Sequence, residues 1–247
     1  MRLSAPHPRG FWTVVKTFLD RRQGFLSGTR WLRDYTAPVT SVRTSSAERI
    51  SRRQVDKFAE RRHHLAASAL QTLSELGYAR TSLREIAQNS DFSHGVLHYY
   101  FADKVDLIIE GVRQYKAECV TRYDDLVATA SSAEQLRVGF GLAMAATLRE
   151  DAAMHRLWYD MRTQSYFDES FRTDVLEIDR SLQTMIWRIV SRYGELAERS
   201  LSVGSDIAYA MFDGLFQQAL LKHLSGDGQA AQDLQGNVEL VLAGLLA

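Results

Sequence analysis

The distribution of proline places the strongest constraint on the fold of this chain. Its three prolines are Pro6, Pro8 and Pro38, so residues 39–247 contain none. Proline ends or kinks helices because it lacks a backbone donor and clashes with the preceding turn. Apolar residues in the proline-free part recur at spacings of three and four, which is the period of an amphipathic helix. The sequence therefore predicts an all-α body.

The helical pattern divides into segments with recognisable ends. The first segment begins near Ser51 and ends at Gly77, where glycine can adopt the left-handed conformation that closes a helix. A later helix is capped by Asp103, and we expect it to run to about Ala128. Further helices are predicted at about 133–150, 151–165, 169–193 and 203–225, and from about 230 to the end.

Residues 81–104 have the pattern of two short helices joined by a tight turn. Ser82 precedes a short helical segment, and Glu85 lies three residues later, which is the spacing of a capping box. Residues 89–91 are Asn, Ser and Asp, which favour turns over helix interiors. Ser93 can cap the second helix. Its predicted outward side chains are His94, Gly95, His98 and Tyr99.

Residues 58–118 resemble the N-terminal domain of the tetracycline-repressor (TetR) family of bacterial transcription regulators. The residues that carry the resemblance are Gly77-Tyr78, Thr81-Ser82-Leu83-Arg84-Glu85-Ile86-Ala87, Ser93, Gly95, Leu97, Tyr100-Phe101 and Lys104. Two positions depart from the family: Ser90-Asp91 replace Ala-Gly in the turn, and His98 replaces a tyrosine. The resemblance implies a three-helix, helix-turn-helix DNA-binding domain at residues 51–118, followed at residues 119–247 by a helical ligand-binding and dimerisation domain.

The predicted DNA contacts follow from the placement of polar groups on the two short helices. A helix start offers hydroxyls and amides to phosphate. His94 and Tyr99 are expected to contact base edges, and Gly95 lets the backbone approach the major groove. In the resembling family, residues at the places of His98 and Lys104 hold phosphates. The full predicted set is Thr81, Ser82, Arg84, Ser93, His94, Gly95, Val96, His98, Tyr99 and Lys104.

Charge is distributed unevenly along the chain. Residues 1–62 hold 14 Lys and Arg against 5 Asp and Glu, while residues 63–247 hold 16 against 25, so a net charge of +9 is balanced by −9. A basic region beside a helix-turn-helix suits phosphate contact, although a solvated charged tail is the alternative. We expect residues 1–50 to be an irregular basic extension. Three interpretations of this extension stay open. It could be a flexible arm that adds phosphate contacts, a helix packed on the body or on a partner, or a segment that results from a misassigned translation start.

The cysteine count and the lengths of the apolar stretches narrow the class of protein. Cys119 is the single cysteine, so an intrachain disulfide or a cysteine metal cluster is excluded, and a reducing cytoplasm is the expected location. The longest strongly apolar stretch, Val138–Leu148, is far shorter than the roughly 20 residues that a membrane helix needs. We expect no metal, no cofactor and no membrane insertion.

The middle of the chain is rich in large, adaptable apolar residues. Such residues at helical spacing are usually plain core. Aromatic and methionine side chains around a few polar groups can also line a small-molecule pocket, as the resemblance implies. The candidate ligand-binding residues are Met144, His155, Trp158, Tyr159, Arg162, Tyr166, Phe171 and Trp187.

The last two predicted helices carry apolar residues on more than one face. Such helices must be covered, either inside the chain or by a second subunit. A homodimer covers both, and two-fold symmetry also suits a pseudo-palindromic operator. The predicted interface residues are Ile207, Met211, Phe212, Leu215, Phe216, Leu242 and Leu245.

The sequence contains none of the common catalytic motifs. It has no phosphate-binding glycine loop, no His-Glu-x-x-His zinc-binding helix and no nucleophile elbow. We therefore predict a non-enzymatic transcription regulator, a repressor that binds operator DNA as a homodimer and is released by a small-molecule effector. Two alternatives stay open. One is a helical small-molecule-binding protein or enzyme with a purely structural helix-turn-helix. The other is an architectural DNA-binding protein without an effector.

Overall fold

Residues 46–77 and 81–247 are the part of the chain that the computed structural model describes. Within this part the helical patterns form nine α-helices and one 3-10 helix, and no β-strand is present. The predicted all-α fold is confirmed. The elements are α1 (Ser46–Leu76), α2 (Leu83–Gln88), α3 (His94–Tyr100), α4 (Lys104–Cys119), α5 (Asp124–Thr129), α6 (Ala133–Gln164), the 3-10 helix (Glu169–Phe171), α7 (Arg172–Ala197), α8 (Ser205–Leu224) and α9 (Ala230–Gly244).

The ends of the first helices form as their capping residues predict. Gly77 follows α1 with a φ of +77°, which is the left-handed conformation that glycine adopts without strain. The Ser82 hydroxyl accepts a hydrogen bond from the Glu85 amide at 3.2 Å, and the Glu85 carboxylate accepts one from the Ser82 amide at 2.7 Å. The Ser93 hydroxyl accepts a hydrogen bond from the Val96 amide and caps α3, and the Asp103 carboxylate accepts one from the Asp106 amide and caps α4. The expected irregular extension at residues 1–50 lies almost wholly outside the described residues.

The predicted end of α4 near Ala128 is wrong. The helix ends at Cys119, and a separate short helix follows at Asp124–Thr129. Backbone hydrogen bonds from Thr121 to Glu118 and from Arg122 to Cys119 form a turn here, and the Arg122 guanidinium donates to the Thr147 hydroxyl of α6 at 2.9 Å. This contact ties the segment between α4 and α5 to the body and separates two stretches that a periodicity argument joins.

The predicted boundary between residues 150 and 151 is present as a kink within one long helix. Asp151 has a φ of −119° and a ψ of 17°, which interrupts the regular backbone of α6. Its carboxylate accepts a hydrogen bond from Arg122 at 2.5 Å. The kink therefore lies where the α4–α5 turn is tied to α6, and it directs the two halves of α6 along different lines.

The body is built around α6, which packs on α7, α8 and α9. Its largest buried side chains include Phe140, Trp158 and Phe212. The first helices bury Leu73, Leu97 and other apolar side chains on the same continuous core. Residues 47–247 accordingly form one compact unit. None of the described helices contains an apolar segment long enough to span a membrane.

Candidate DNA-reading surface and internal cavity

The face of α3 opposite its one buried residue is open to solvent. Leu97 is fully buried and anchors the helix, whereas Tyr99 is 71% exposed. A Cβ placed on Gly95 would meet no atom within 4 Å, so the backbone of this turn is uncovered. The short helix thus presents its outer face, with the backbone of its first turn, to any partner that fits against it.

The two histidines of this face contact each other. His94 and His98 are one helical turn apart, and their Nε2 atoms are separated by 3.1 Å. Their rings meet nearly edge to face, with centroids 4.3 Å apart. One imidazole donates a hydrogen bond to the other, so the pair forms a single polar unit on the exposed surface.

One aromatic side chain of α1, Phe58, supports the C-terminal end of α3. The Phe58 ring lies 4.7 Å from the Tyr100 ring and 6.0 Å from the Tyr99 ring. Tyr99 and Tyr100 also meet nearly edge to face at 5.0 Å. These contacts restrain the position of the Tyr99 side chain, although most of it is exposed to solvent. A side chain positioned in this way loses little rotamer entropy when it contacts a partner.

Arg62 of α1 joins α3 to α4. Its guanidinium donates to the Tyr100 carbonyl at 2.8 Å and to the Asp106 carboxylate at 3.1 Å. It also lies 3.5 Å from Glu110 and 4.6 Å from the centre of the Phe101 ring. Burial of Asp106 opposes ionisation, but the hydrogen bonds and charge of Arg62 outweigh it and lower the pKa of this carboxyl. The arginine therefore fixes the C-terminal end of α3 relative to α4.

The other predicted DNA contacts differ in how available they are. Ser82, Arg84 and Ser93 are exposed, and Val96 and Lys104 are partly buried. Thr81 is buried, and its hydroxyl donates to the Gly77 carbonyl at 2.6 Å. That hydroxyl is used inside the chain, so we leave Thr81 out of the proposed contact set.

A second candidate site is a cavity inside the helical body. Its volume is about 60 Å³, and the empty space is about 450 Å³ when the region open to solvent is included. Residues of α4, α6, α7 and α8 surround it, together with Tyr123 at the start of α5. The wall is mostly apolar and aromatic, which is the usual character of a small-molecule site.

Two side chains of the cavity wall, Lys116 and His155, hold nitrogen atoms that are buried away from solvent. Lys116 of α4 is 2% exposed, and its ammonium group lies over the rings of Trp158 and Tyr115, at 5.0 and 5.4 Å from their centroids. The Nε2 atom of His155 is buried and unbonded. Burial lowers the pKa of Lys116, and burial together with the charges of Lys116 and Arg122 lowers that of His155 well below 6.5. The imidazole is therefore neutral at pH 7.

The carboxylate of the cavity wall is satisfied. Asp213 of α8 accepts a hydrogen bond from the Tyr159 hydroxyl at 3.0 Å and pairs with Arg162 at 2.5 Å. Arg162 also lies 3.3 Å from Asp179, which accepts a hydrogen bond from Tyr209 at 2.6 Å. Burial and the neighbouring carboxylates raise the pKa values of both tyrosines, so both remain hydrogen-bond donors.

The structure brings together half of the candidate ligand-binding residues. Met144, His155, Trp158 and Tyr159 line the cavity, and Arg162 lies directly behind it through its pairing with Asp213. The remaining three are elsewhere. Phe171 is fully buried in the core, Tyr166 is 71% exposed, and Trp187 is partly buried beside the core without lining the cavity.

Most residues of the cavity wall are absent from the predicted ligand-binding set. Lys116 was detectable, because it interrupts an apolar helical pattern formed by Val112, Tyr115 and Cys119. Residues of α8 were assigned to a subunit interface, yet two of them point into the chain. The wall residues not predicted for ligand binding are Lys116, Tyr123, Thr147, Leu182, Met185, Ile186, Tyr209, Phe212, Asp213 and Phe216.

The predicted interface residues divide by exposure. Ile207 is 51% exposed, Met211 is also exposed, and Leu215 is partly buried. The other four predicted residues are buried within the chain, because the inner faces of α8 and α9 pack on α6. They are Phe212, Phe216, Leu242 and Leu245.

The paired caps, the buried anchor of α3 and its open polar face together define a helix-turn-helix protein with a helical body. Residues 65–110 match the family described as bacterial regulatory proteins, tetR family. The HTH-type transcriptional regulator HbdR of Aromatoleum sp. (strain CIB) is 36% identical over 66 residues, which are 26% of this chain. That match spans 29% of the length of the curated relative.

Solved structures resemble the chain over a longer range. The transcriptional regulator FadR of Bacillus subtilis, in complex with stearoyl-CoA, has a TM-score of 0.58 and 16% identity, covering 74% of this chain and 98% of that one. A transcriptional regulator of Saccharomonospora viridis, in complex with choline, has a TM-score of 0.62 and 19% identity, covering 76% and 97%. The match to the tetR family thus covers residues 65–110, and the solved structures share the fold of the chain.

Proposed function

We propose that this protein is a homodimeric repressor that binds a pseudo-palindromic operator and leaves it when a small molecule enters the body. Residues 51–118 form the DNA-binding domain in this proposal, and residues 119–247 form the ligand-binding and dimerisation domain. The observation that carries it is the exposed face of α3, which is capped, anchored and covered by nothing among the described residues.

The chemistry of this face suits the major groove. The imidazoles of His94 and His98 and the Tyr99 hydroxyl can donate to or accept from base edges. The uncovered backbone at Gly95 allows the helix to approach closely. Arg84 and Ser82 lie at the start of α2, where a cation, a hydroxyl and helix amides suit phosphate. Phosphate contacts position the helix, and base contacts select the sequence.

A homodimer is supported by the exposed side of α8. Ile207, Met211 and Leu221 recur at spacings that place them on one stripe, and Leu221 is 68% exposed. Gly214 lies on the same stripe and leaves open space around its backbone. A two-fold interface repeats the same patch on both subunits, so this single stripe would be covered by its own copy. Two reading helices would then face two half-sites.

Effector release is supported by the position of α4. This helix begins at Lys104, immediately after the reading helix, and its residue Lys116 lines the cavity. Arg113 of the same helix pairs with Asp174 and Glu177 of α7. A ligand that shifts α4 would therefore move a helix that is connected both to the body and to the proposed DNA-binding helix α3. Coupling requires only that ligand and operator favour different arrangements.

Selection from fragmented genomic DNA tests the proposal. Purified full-length protein is mixed with the fragments, and bound DNA is recovered and sequenced over several rounds. The expected result is enrichment of fragments that share an inverted repeat, with loss of enrichment for the variant Tyr99→Ala. The matched control is Tyr166→Ala, which removes an equally exposed tyrosine from the body. Recovery of no shared sequence by the wild-type protein would refute the proposal.

A further inference from the structure

The strongest unassigned feature of the body is the ammonium group of Lys116. It is buried and lines the cavity, and it lies over the faces of Trp158 and Tyr115. Burying an ion is costly unless it is paired and hydrogen-bonded. Aromatic faces supply part of that stabilisation. The hydrogen-bonding capacity of the ammonium group is left for a ligand.

The charges around the cavity favour an anion over a cation. Asp213 is the carboxylate of the wall, and it is already paired with Arg162 and hydrogen-bonded to Tyr159. A cationic ligand would therefore have to compete with Arg162 for the Asp213 carboxylate. The aromatic face of Trp158 that such a ligand would need is held by Lys116. An incoming carboxylate would instead meet an ammonium group with free donors.

A second polar group completes the recognition. His155 lines the same cavity, and its Nε2 atom is buried and has no hydrogen-bond partner among the described residues. A neutral imidazole can donate one hydrogen bond. The rest of the wall includes Met185, Ile186 and Phe216, which offer apolar contact and no charge.

We propose that the cavity binds a small aromatic or aliphatic carboxylate, whose anionic group pairs with Lys116 and His155 and whose apolar part packs against Met185, Ile186 and Phe216. This inference rests on the proposed function in so far as the anion is the effector. Lys116 lies twelve residues after Lys104, which is about 18 Å along α4. The anion would therefore contact α4, the helix whose first residue lies close to the end of α3.

Calorimetric titration of the full-length protein without DNA tests this inference. The probes are phenylacetate and octanoate, with phenylacetamide and octanamide as neutral controls of the same shape, and choline as a cation. At least one carboxylate is expected to bind about tenfold or more tightly than its amide, because the amide cannot form the ion pair. Failure of both carboxylates to bind at millimolar concentration, equal binding of acid and amide, or binding of choline alone would overturn the inference.

Variants separate the charge of Lys116 from its packing. Lys116→Met keeps the apolar stem, so we expect loss of the acid-over-amide preference with a native circular dichroism spectrum, while Lys116→Arg keeps the preference. Lys222→Met removes an exposed lysine and serves as the control. Retention of the full preference in Lys116→Met would contradict the assigned pairing.

Operator binding is measured on the same preparations. Lys222→Met changes neither the cavity wall nor α3, so this control is expected to bind the operator as the wild-type protein does. Operator binding without carboxylate binding would refute the anion site alone. If the protein bound carboxylates but selected no DNA sequence, the result would support the anion site and refute the proposed function as a DNA-binding regulator.

Discussion

The Nε2 atoms of His94 and His98 lie 3.1 Å apart on the exposed face of α3, so the two imidazoles form one hydrogen-bonded unit. The sequence predicts separate roles for them, with His94 at a base edge and His98 at a phosphate. Their contact means that either ring orients the other. A base contact by His94 therefore depends on His98 even where His98 itself touches only the backbone of the DNA.

A double-mutant cycle on this pair should be non-additive. His94→Ala and His98→Ala are each expected to weaken operator binding by about 1–3 kcal/mol. The double variant should cost less than the sum by about 0.5 kcal/mol or more, because either single change already breaks the unit. Fluorescence anisotropy gives the four affinities. His94→Ala combined with Arg84→Ala is the additive control, and additivity in the histidine pair would contradict their coupling.

Gly95→Ala isolates the close approach of backbone and DNA. A Cβ at this position meets no atom of the described chain within 4 Å, and alanine favours a helix over glycine by about 1 kcal/mol. The variant should therefore unfold at equal or higher temperature and yet bind the operator at least about tenfold more weakly, since one methyl group blocks the groove contact. Thermal melts and anisotropy measure the two effects. Unchanged affinity would place this turn away from the groove.

Asp106→Asn should lose stability in a pH-dependent way. The pKa of Asp106 is lowered below 3.8 in the folded chain, with burial opposed by the stronger effects of Arg62 and the Ala102 amide. A depressed carboxyl pKa stabilises the fold above the unfolded value, and this contribution disappears as the pH falls through the folded value. Urea unfolding should thus show a deficit of about 1–3 kcal/mol at pH 7. The deficit should shrink below pH 4.

An equal deficit at every pH would mean that Asp106 acts only through packing. Asp103→Asn is a useful comparison, because it alters a neighbouring cap of α4 without touching the guanidinium of Arg62.

Charges introduced into the exposed stripe of α8 should dissociate the proposed dimer. In the double variant Met211→Glu with Leu221→Glu, carboxylates would be brought together across a two-fold interface, which costs about 3 kcal/mol or more. Light scattering after size exclusion is expected to show a dimer for the wild-type protein and a monomer for the variant. Leu176→Glu, at an equally apolar exposed site of α7, should leave the dimer intact. A dimeric double variant would exclude this stripe as the interface.

Local signals in the sequence account for most of the first helices. Ser82 and Glu85 form the predicted capping box, Ser93 and Asp103 cap their helices as predicted, and Gly77 adopts the predicted left-handed conformation. Each of these interactions spans no more than a few residues. Short-range hydrogen bonding is decided by residue type and spacing, which a sequence displays directly.

Hydrophobic periodicity in the sequence does not predict contacts between residues that are far apart in the chain. Arg122 contacts Thr147 just beyond the end of α4, and nothing local marks that partnership. The cavity wall depends on which faces of α7 and α8 turn inward. Phe212 and Phe216 belong to an apolar stripe that suits either a subunit interface or a core, and only the packing of α8 on α6 distinguishes the two.

The central claim is that α3 reads the sequence of an operator, and anisotropy titration with a scrambled competitor tests it most directly. A labelled duplex carrying the selected inverted repeat is titrated with the full-length protein at several salt concentrations. The account predicts saturation at two chains per site, with binding that survives the competitor and that Tyr99→Ala reduces to the level of scrambled DNA. Equal affinity for the repeat and its scrambled copy, with the same salt dependence, would contradict it, because phosphate contact alone would then explain the binding.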